Sequence, residues 1–337
     1  MKHLVTLLAL ITIFNCSFAQ QLTKADAKIL KQREDSLKKY SVKLIQGINA
    51  KDRFDADSMF TRVLVRALKV PGSFYYPFDS LETISKLYAP DSAFKIFTWQ
   101  MMINDNVIRQ HGAIQMRTYD GSLKLYPLID KSDVTVNLVD TVGNNFGWIG
   151  AVYYNIIQKK SANQNYYTLI GYDENNIRSN KKIIEVLNFN NGGPTFGGRY
   201  FSFEEDSVFK TSVGRYIMEY KKTYGPKLNY DAEMDMIVVE HLVSESNEPN
   251  KKWTLVGDGD YEGFKWKNGK WVHVEKIFNQ VTPLGQAPVP TPIRDPNGNL
   301  DETKLKDAEG EEVKPAEEKI IPAPKPKVVP KKKKGKG

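Results

Sequence analysis

The residues best suited to chemistry cluster first at 256–274, "VGDGDYEGFKWKNGKWVHV", where Asp258, Asp260 and Glu262 alternate. In a strand, alternating side chains share one face and could offer oxygens to a calcium ion. An EF-hand loop needs further ligands at fixed positions and an acid at its twelfth, and position 269 is glycine. The triplet therefore reads as turn and strand chemistry. Trp253, Tyr261, Trp266 and Trp271 could stack on sugar rings, yet aromatic residues are favoured in strands for packing alone, and packing is the simpler reading. "SNKK" at 179–182 matches Ser-x-x-Lys, as does Ser36 with Lys39. The companion elements of a penicillin-interacting serine enzyme are out of order or incomplete, so that reading is rejected.

Glycine-rich "NGGPTFGG" at 191–198 has no Lys-Ser/Thr after it and carries no phosphate-binding signature. His111, His241 and His273 are scattered through strand-like runs. Glu240-His241 is the most catalytic-looking pair, but strand neighbours point to opposite faces. No cofactor and no metal site is expected. If the protein is a hydrolase acting on an envelope polymer such as a glycan, acids such as Asp173, Glu174 and Glu185 would have to be brought together by the fold, and their spacing reports the mechanism.

The elements that would position these groups fall into four stretches. Residues 1–19 have a basic start at Lys2 and His3, an apolar run of eleven residues from Leu4 to Phe14, and a Ser17-Phe18-Ala19 cleavage site. That is a secretory signal, and the run is shorter than the roughly 20 residues that span a bilayer. Cys16 is the only cysteine, and cleavage after Ala19 removes it. The competing reading, a lipidated Cys16, has Asn15 in the preceding position, where a small residue is preferred. A mature chain without cysteine has no disulfide and no thiolate ligand or nucleophile. The expected place is the periplasm or cell envelope, with no transmembrane segment in the mature chain.

Residues 20–71 read as a helical pair. Thr23 with Asp26 resembles a capping box, and Leu30, Leu37, Leu44 and Ile48 mark one apolar stripe with Tyr40 and Ile45 beside it. A second helix starts near Asp55 or Asp57 and carries Met59, Phe60, Val63, Leu64, Ala67 and Leu68, until Val70-Pro71-Gly72 stops it. Residues 72–280 are a mostly antiparallel β domain, a sandwich, meander or irregular barrel. A short helix is expected near 79–87, and the strand-like runs are "AFKIFTWQMMI", "GAIQMRT", "LKLYPLI", "VTVNLV", "WIGAVYYNII", "YYTLIGY", "RYFSF", "GRYIMEY" and "MIVVEHLV". Ile183, Ile184 and Leu187 give "SNKKIIEVL" a short helical reading. "GDGD" at 257–260 reads as a turn, and Asn268-Gly269 as a two-residue type I′ hairpin pairing Trp266 with Trp271. The fold class is α+β, dominated by β.

Residues 281–337 are rich in proline and lysine and read as disordered. The net charge of +8 is matched by the eight lysines of residues 319–337, which contain no acid. The basic character thus belongs to a tail and not to a nucleic-acid-binding face. The tail is suited to weak electrostatic contact with an anionic surface.

Four runs, "YPFDSLETISKLYAPDSAFKIFTWQ", "WIGAVYYNII", "YYTLIGYDENNIRSNKKIIEVLNF" and "GDYEGFKW", resemble a group of exported, signal-peptide-bearing proteins of Bacteroidota to which no activity is assigned. The resemblance covers about residues 72–278 and implies a compartment but no site residues. Together these readings favour a non-enzymatic binding or scaffold protein with an envelope partner or glycan, the hydrolase being the alternative.

Overall fold

Thr23 begins the first helix by the route its sequence predicts: its hydroxyl oxygen accepts the Asp26 amide at 3.0 Å and donates to the Asp26 carboxylate at 2.6 Å. The computed structural model describes residues 22–278 apart from 105, 190–191 and 204–211, together with residues 297 and 299. The signal segment and nearly all of the Pro/Lys-rich tail lie outside the described residues. Helix α1 spans Lys24–Gln46 and α2 spans Ala50–Leu68. Leu30, Leu37 and Leu44 are fully buried, but Ile48 is 93% exposed, because α1 ends at Gly47 before the stripe reaches it. The second helix starts at Ala50, five residues ahead of Asp55, and Asp57 sits inside it, bonded to the Trp99 indole at 2.8 Å.

The strands in chain order are β1 Ser85–Tyr88, β2 Phe94–Asn104, β3 Val107–Met116, β4 Lys124–Ile129, β5 Gly143–Asn144, β6 Val152–Ser161, β7 Gln164–Asp173 and β8 Ser179–Asn188. They continue as β9 Thr195–Phe196, β10 Phe201–Ser202, β11 Ser212–Val213, β12 Arg215–Lys221, β13 Leu228–Asp231, β14 Met236–Ser244, β15 Leu255–Lys267 and β16 Lys270–Val274. They form three sheets. The first has order β1-β2-β3-β4, the second β5-β9-β8-β7-β6 with β12 beside β8, and the third β11-β10-β16-β15-β14-β13. Among the described residues, every pairing between strands is antiparallel except β10 with β16.

Alternation along the strands dictates how the sheets stack. On β2, Phe97 and Trp99 join the helical core of Leu30, Leu37, Phe60 and Leu64, while Phe94 and Ile96 face the second sheet. On β7 and β8, Leu169, Ile183 and Leu187 meet the first sheet, and Ile170, Ile184 and Val186 meet Phe201, Ile237, Val239, Phe264 and Trp271 of the third. The result is four layers, helices on three sheets, with the second sheet buried on both faces. That double burial explains the misreading of residues 179–187: with apolar side chains on both faces, the period of two that marks a strand is lost, and the run is strand β8 instead of a helix. Residues 79–84 are turns that lead into β1, so the expected helix there is absent. "VTVNLV" at 134–139 is not a strand but part of an irregular connection.

The Asn268-Gly269 hairpin is present in the expected register. Lys267 opposes Lys270, Trp266 opposes Trp271 and Phe264 opposes His273. Both turn residues have positive φ, 49° and 80°, the condition that glycine and asparagine meet at least cost. The two indoles pack edge to face with centroids 5.3 Å apart, and Trp271 donates its N–H across the core to the Thr168 hydroxyl at 2.8 Å. "GDGD" is not a turn; it lies inside β15, opposite an irregularity of register between Glu240 and Leu242 of β14.

Candidate functional site

The longest irregular stretch among the described residues of the β layers joins β4 to β6, and its interior is held by two charged side chains, one half-buried and one fully buried. Asp130 is the first. Its Oδ1 accepts the Ser132 amide at 2.9 Å, the Ser132 hydroxyl at 2.7 Å and the Gly150 amide at 3.1 Å, and its Oδ2 accepts the Gln110 amide of β3 at 3.1 Å. Asp130 thus ties both ends of the connection to the first sheet. The approach at Gly150 is close enough to require glycine, since a Cβ there would lie 2.3 Å from the Gln110 Cβ. Backbone bonds from Lys131 to Trp148 (2.8 Å), Trp148 to Ile129 (3.1 Å) and Ile129 to Asn145 (2.8 Å) close the base.

Arg215 is the second. It is fully buried, and its Nε donates to the equally buried Glu185 carboxylate at 2.6 Å. Its Nη1 donates to the carbonyl of Leu138 at 3.0 Å and to that of Thr141, and its Nη2 to the Phe196 carbonyl at 3.3 Å. The other Glu185 oxygen accepts the Tyr153 hydroxyl, which accepts the Trp148 indole N–H at 2.7 Å. Burial, followed by the Glu185 charge, pushes the Tyr153 hydroxyl well above its ordinary range, so it stays protonated and donates. A buried ion pair costs desolvation unless its remaining donors and acceptors are satisfied; here the spare guanidinium protons go to loop carbonyls.

Held from beneath, the connection turns apolar side chains outwards. Val134 is 69% exposed, Val136 fully exposed, Val142 56% and Phe146 64%, with Ile129 beside the base at 43%. Single exposed apolar side chains are ordinary, whereas here four lie on one connection. Asn137 braces the middle by accepting the Thr141 amide at 3.1 Å on its carbonyl and the Asp140 amide at 3.2 Å on its side chain. Arg109 pairs with Asp133 at 2.7 Å on the outer edge.

The three acids that the sequence offered as a hydrolytic set are placed apart in role. Glu185 is locked to Arg215 and Tyr153. Asp173 is buried; its Oδ1 accepts the Gln110 side-chain amide and the Asn175 backbone amide, both at 2.9 Å, and burial raises its pKa. Glu174 accepts Gln100 at 2.8 Å and pairs with Lys222 at 3.2 Å. Each has its own set of protein partners. The histidines likewise each meet one acid: His111 with Asp57 at 3.2 Å, His241 with Asp258 at 2.7 Å and His273 with Glu262 at 2.9 Å. Glu240 turns the other way from His241, towards the Tyr224 hydroxyl and the Lys227 amide at 2.7 Å.

Of the alternating acids, Asp260 faces Lys276 at 3.5 Å, while Glu262 also accepts Tyr216 at 2.9 Å. Among the described residues no group of three His, Asp or Glu side chains is placed to hold a metal ion. Ser179 donates to Glu219 at 2.5 Å, while Lys182 reaches the Pro226 carbonyl at 2.6 Å. Trp271 and Trp266 belong to the core between the second and third sheets, and Trp253 is 40% exposed with Arg178 over its ring.

No family model, curated protein or solved structure matches this chain. No helix of the described residues is long and apolar enough to cross a membrane.

Proposed function

We propose that this is an exported, non-enzymatic binding or scaffold protein of the cell envelope, and that its partner is a protein that packs on the loop of residues 130–147. One observation carries the reading: Val134, Val136, Val142 and Phe146 stay exposed on a connection whose backbone is tied down by Asp130 and Arg215. A half-buried carboxylate and a fully buried guanidinium hold a surface that leaves much of its apolar area exposed. Preorganising a binding segment removes the ordering cost at the moment of association, which gives such anchoring a use in recognition.

The lysine run of residues 331–334 serves as a secondary contact. Each lysine near an anionic surface contributes about 1 kcal/mol, enough for loose, salt-sensitive retention. The test is to isolate native complexes from the envelope fraction with wild-type protein and with Val136→Asp/Phe146→Asp. The loop variant should keep its melting temperature and lose the complex. Retention of the same complex by a folded loop variant would exclude the loop as the binding surface.

A further inference from the structure

Two buried ionisable side chains lie on the far side of the first sheet, where residues 76–84 run between the helical pair and β2. Glu34 of α1 is 2% exposed and accepts the Tyr76 hydroxyl at 2.7 Å and the Ser80 amide at 2.7 Å. Lys95 of β2 is fully buried and donates to the Tyr76 carbonyl at 2.6 Å. The two ionisable groups thus grip one segment from opposite sides. The segment contributes Phe78, Leu81 and Ile84 to the core between helices and sheet. Gly72 and Phe78, with φ of 72° and 57°, bracket the chain reversal that brings it in.

Lys95 has no carboxylate partner. Its ammonium lies over the Tyr88 ring at 4.3 Å and near the rings of Phe78 at 5.3 Å and Phe97 at 5.4 Å. Gln115, directly opposite on β3, spends its amide N–H on Ser73 at 3.0 Å, and its buried Oε1 is without a partner. The charged groups around Lys95 are Lys86 on β1, which disfavours its charge, and Asp79 in the segment itself, which favours it. Lys86 is in turn influenced by Asp79, Glu34 and Glu82, and it donates to the Leu81 carbonyl at 2.5 Å. Tyr76 and Tyr88 complete the titratable surroundings, and burial raises both hydroxyls out of reach of neutral pH.

We propose that residues 76–84 form a strap between the helical pair and the first sheet that opens locally, and that proton uptake by Lys95 loosens it. The ring faces attract an ammonium ion, but full burial with a single acceptor carbonyl leaves it short of the three partners it needs, and this deficit favours the amine. Burial, aided by Lys86, brings the Lys95 pKa down to about 7. An opened strap returns Lys95 to water and to its ordinary value of 10.5. The open state therefore holds more protons between those two limits, and closure strengthens as pH rises through that window.

The experiment is hydrogen exchange of the full mature chain between pH 7 and pH 9.5, corrected for the intrinsic rate at each pH. Strap amides should be less protected than the core amides of β7, and their protection should rise up to tenfold per pH unit. Lys95→Met should be better protected at pH 7 and show no such slope. Lys95→Leu serves the same purpose if the methionine variant fails to fold. Strap protection equal to that of β7 in wild type would overturn local opening, and a slope shared by wild type and both variants would remove Lys95 as its cause.

Discussion

Replacing Arg215 by methionine is the most informative perturbation of the anchoring beneath the loop. The substitution leaves Glu185 fully buried with Tyr153 as its one remaining partner, because the 2.6 Å contact to Arg215 is gone. Breaking a buried pair from one side costs about 3–5 kcal/mol. The Leu138 and Thr141 carbonyls lose a donor as well, but they belong to a surface connection that water can reach, and they add little. For a folded body of this size, each kcal/mol moves the melting temperature by about 2–4 °C. Arg215→Met should therefore melt about 6–20 °C below wild type in a calorimetric or circular-dichroism scan.

Two further readouts separate an ion pair from simple packing. The double variant Arg215→Met/Glu185→Leu removes both charges and should recover much of the loss, giving a coupling energy of about 2 kcal/mol or more in a double-mutant cycle. Trypsin cleavage after the exposed Lys131 should also accelerate in Arg215→Met at temperatures where the sheets remain folded. A loss below about 1 kcal/mol, or single-variant losses that simply add in the double variant, would refute the argument that a satisfied buried pair holds this connection.

Three other outcomes follow from named contacts. Gly269→Val should destabilise by about 1–3 kcal/mol in a denaturant titration, because a β-branched residue is forced to positive φ and its Cβ would meet the Ser161 hydroxyl oxygen at 2.9 Å. Trp271→Phe should cost about 1–3 kcal/mol by the same measurement, since the Thr168 hydroxyl loses its buried donor. Global stability of wild type should rise from pH 7 towards pH 10 with a Lys95 contribution of up to about 1.4 kcal/mol per unit, because the folded pKa of about 7 lies below the unfolded 10.5. In Lys95→Met that contribution should be missing from the denaturation midpoints.

The fold was most legible where chemistry is local. Thr23 with Asp26, Val70-Pro71-Gly72 and Asn268-Gly269 each act over four residues or fewer, and each stands where its residue types predict. Legibility failed where burial differs from the usual one-faced pattern. β8 carries apolar residues on both faces and imitates helical spacing, whereas Val134 and Val136 alternate like a strand yet face solvent from turns. The loop itself had a faint signal, alternating valines set among Asp133, Asn137 and Asp140. The contact of Arg215 with Glu185 had none, because the two are 30 residues apart and only the pairing of β8 with β12 brings them together. Asp173, Glu174 and Glu185 were named in sequence as acids that a fold could bring together; Asp173 and Glu185 are buried, Glu174 is half-exposed, and each has its own protein partners.

The most direct test of the account is site-specific photo-crosslinking in cells, with a photoreactive phenylalanine at position 136 or 146 of the loop and, for comparison, at the exposed position 160 of β6. Both loop positions should give one saturable protein adduct, lost on competition with unlabelled wild type and absent from position 160. Labelling that is indistinguishable among the three positions, or an adduct from position 160 alone, would contradict it.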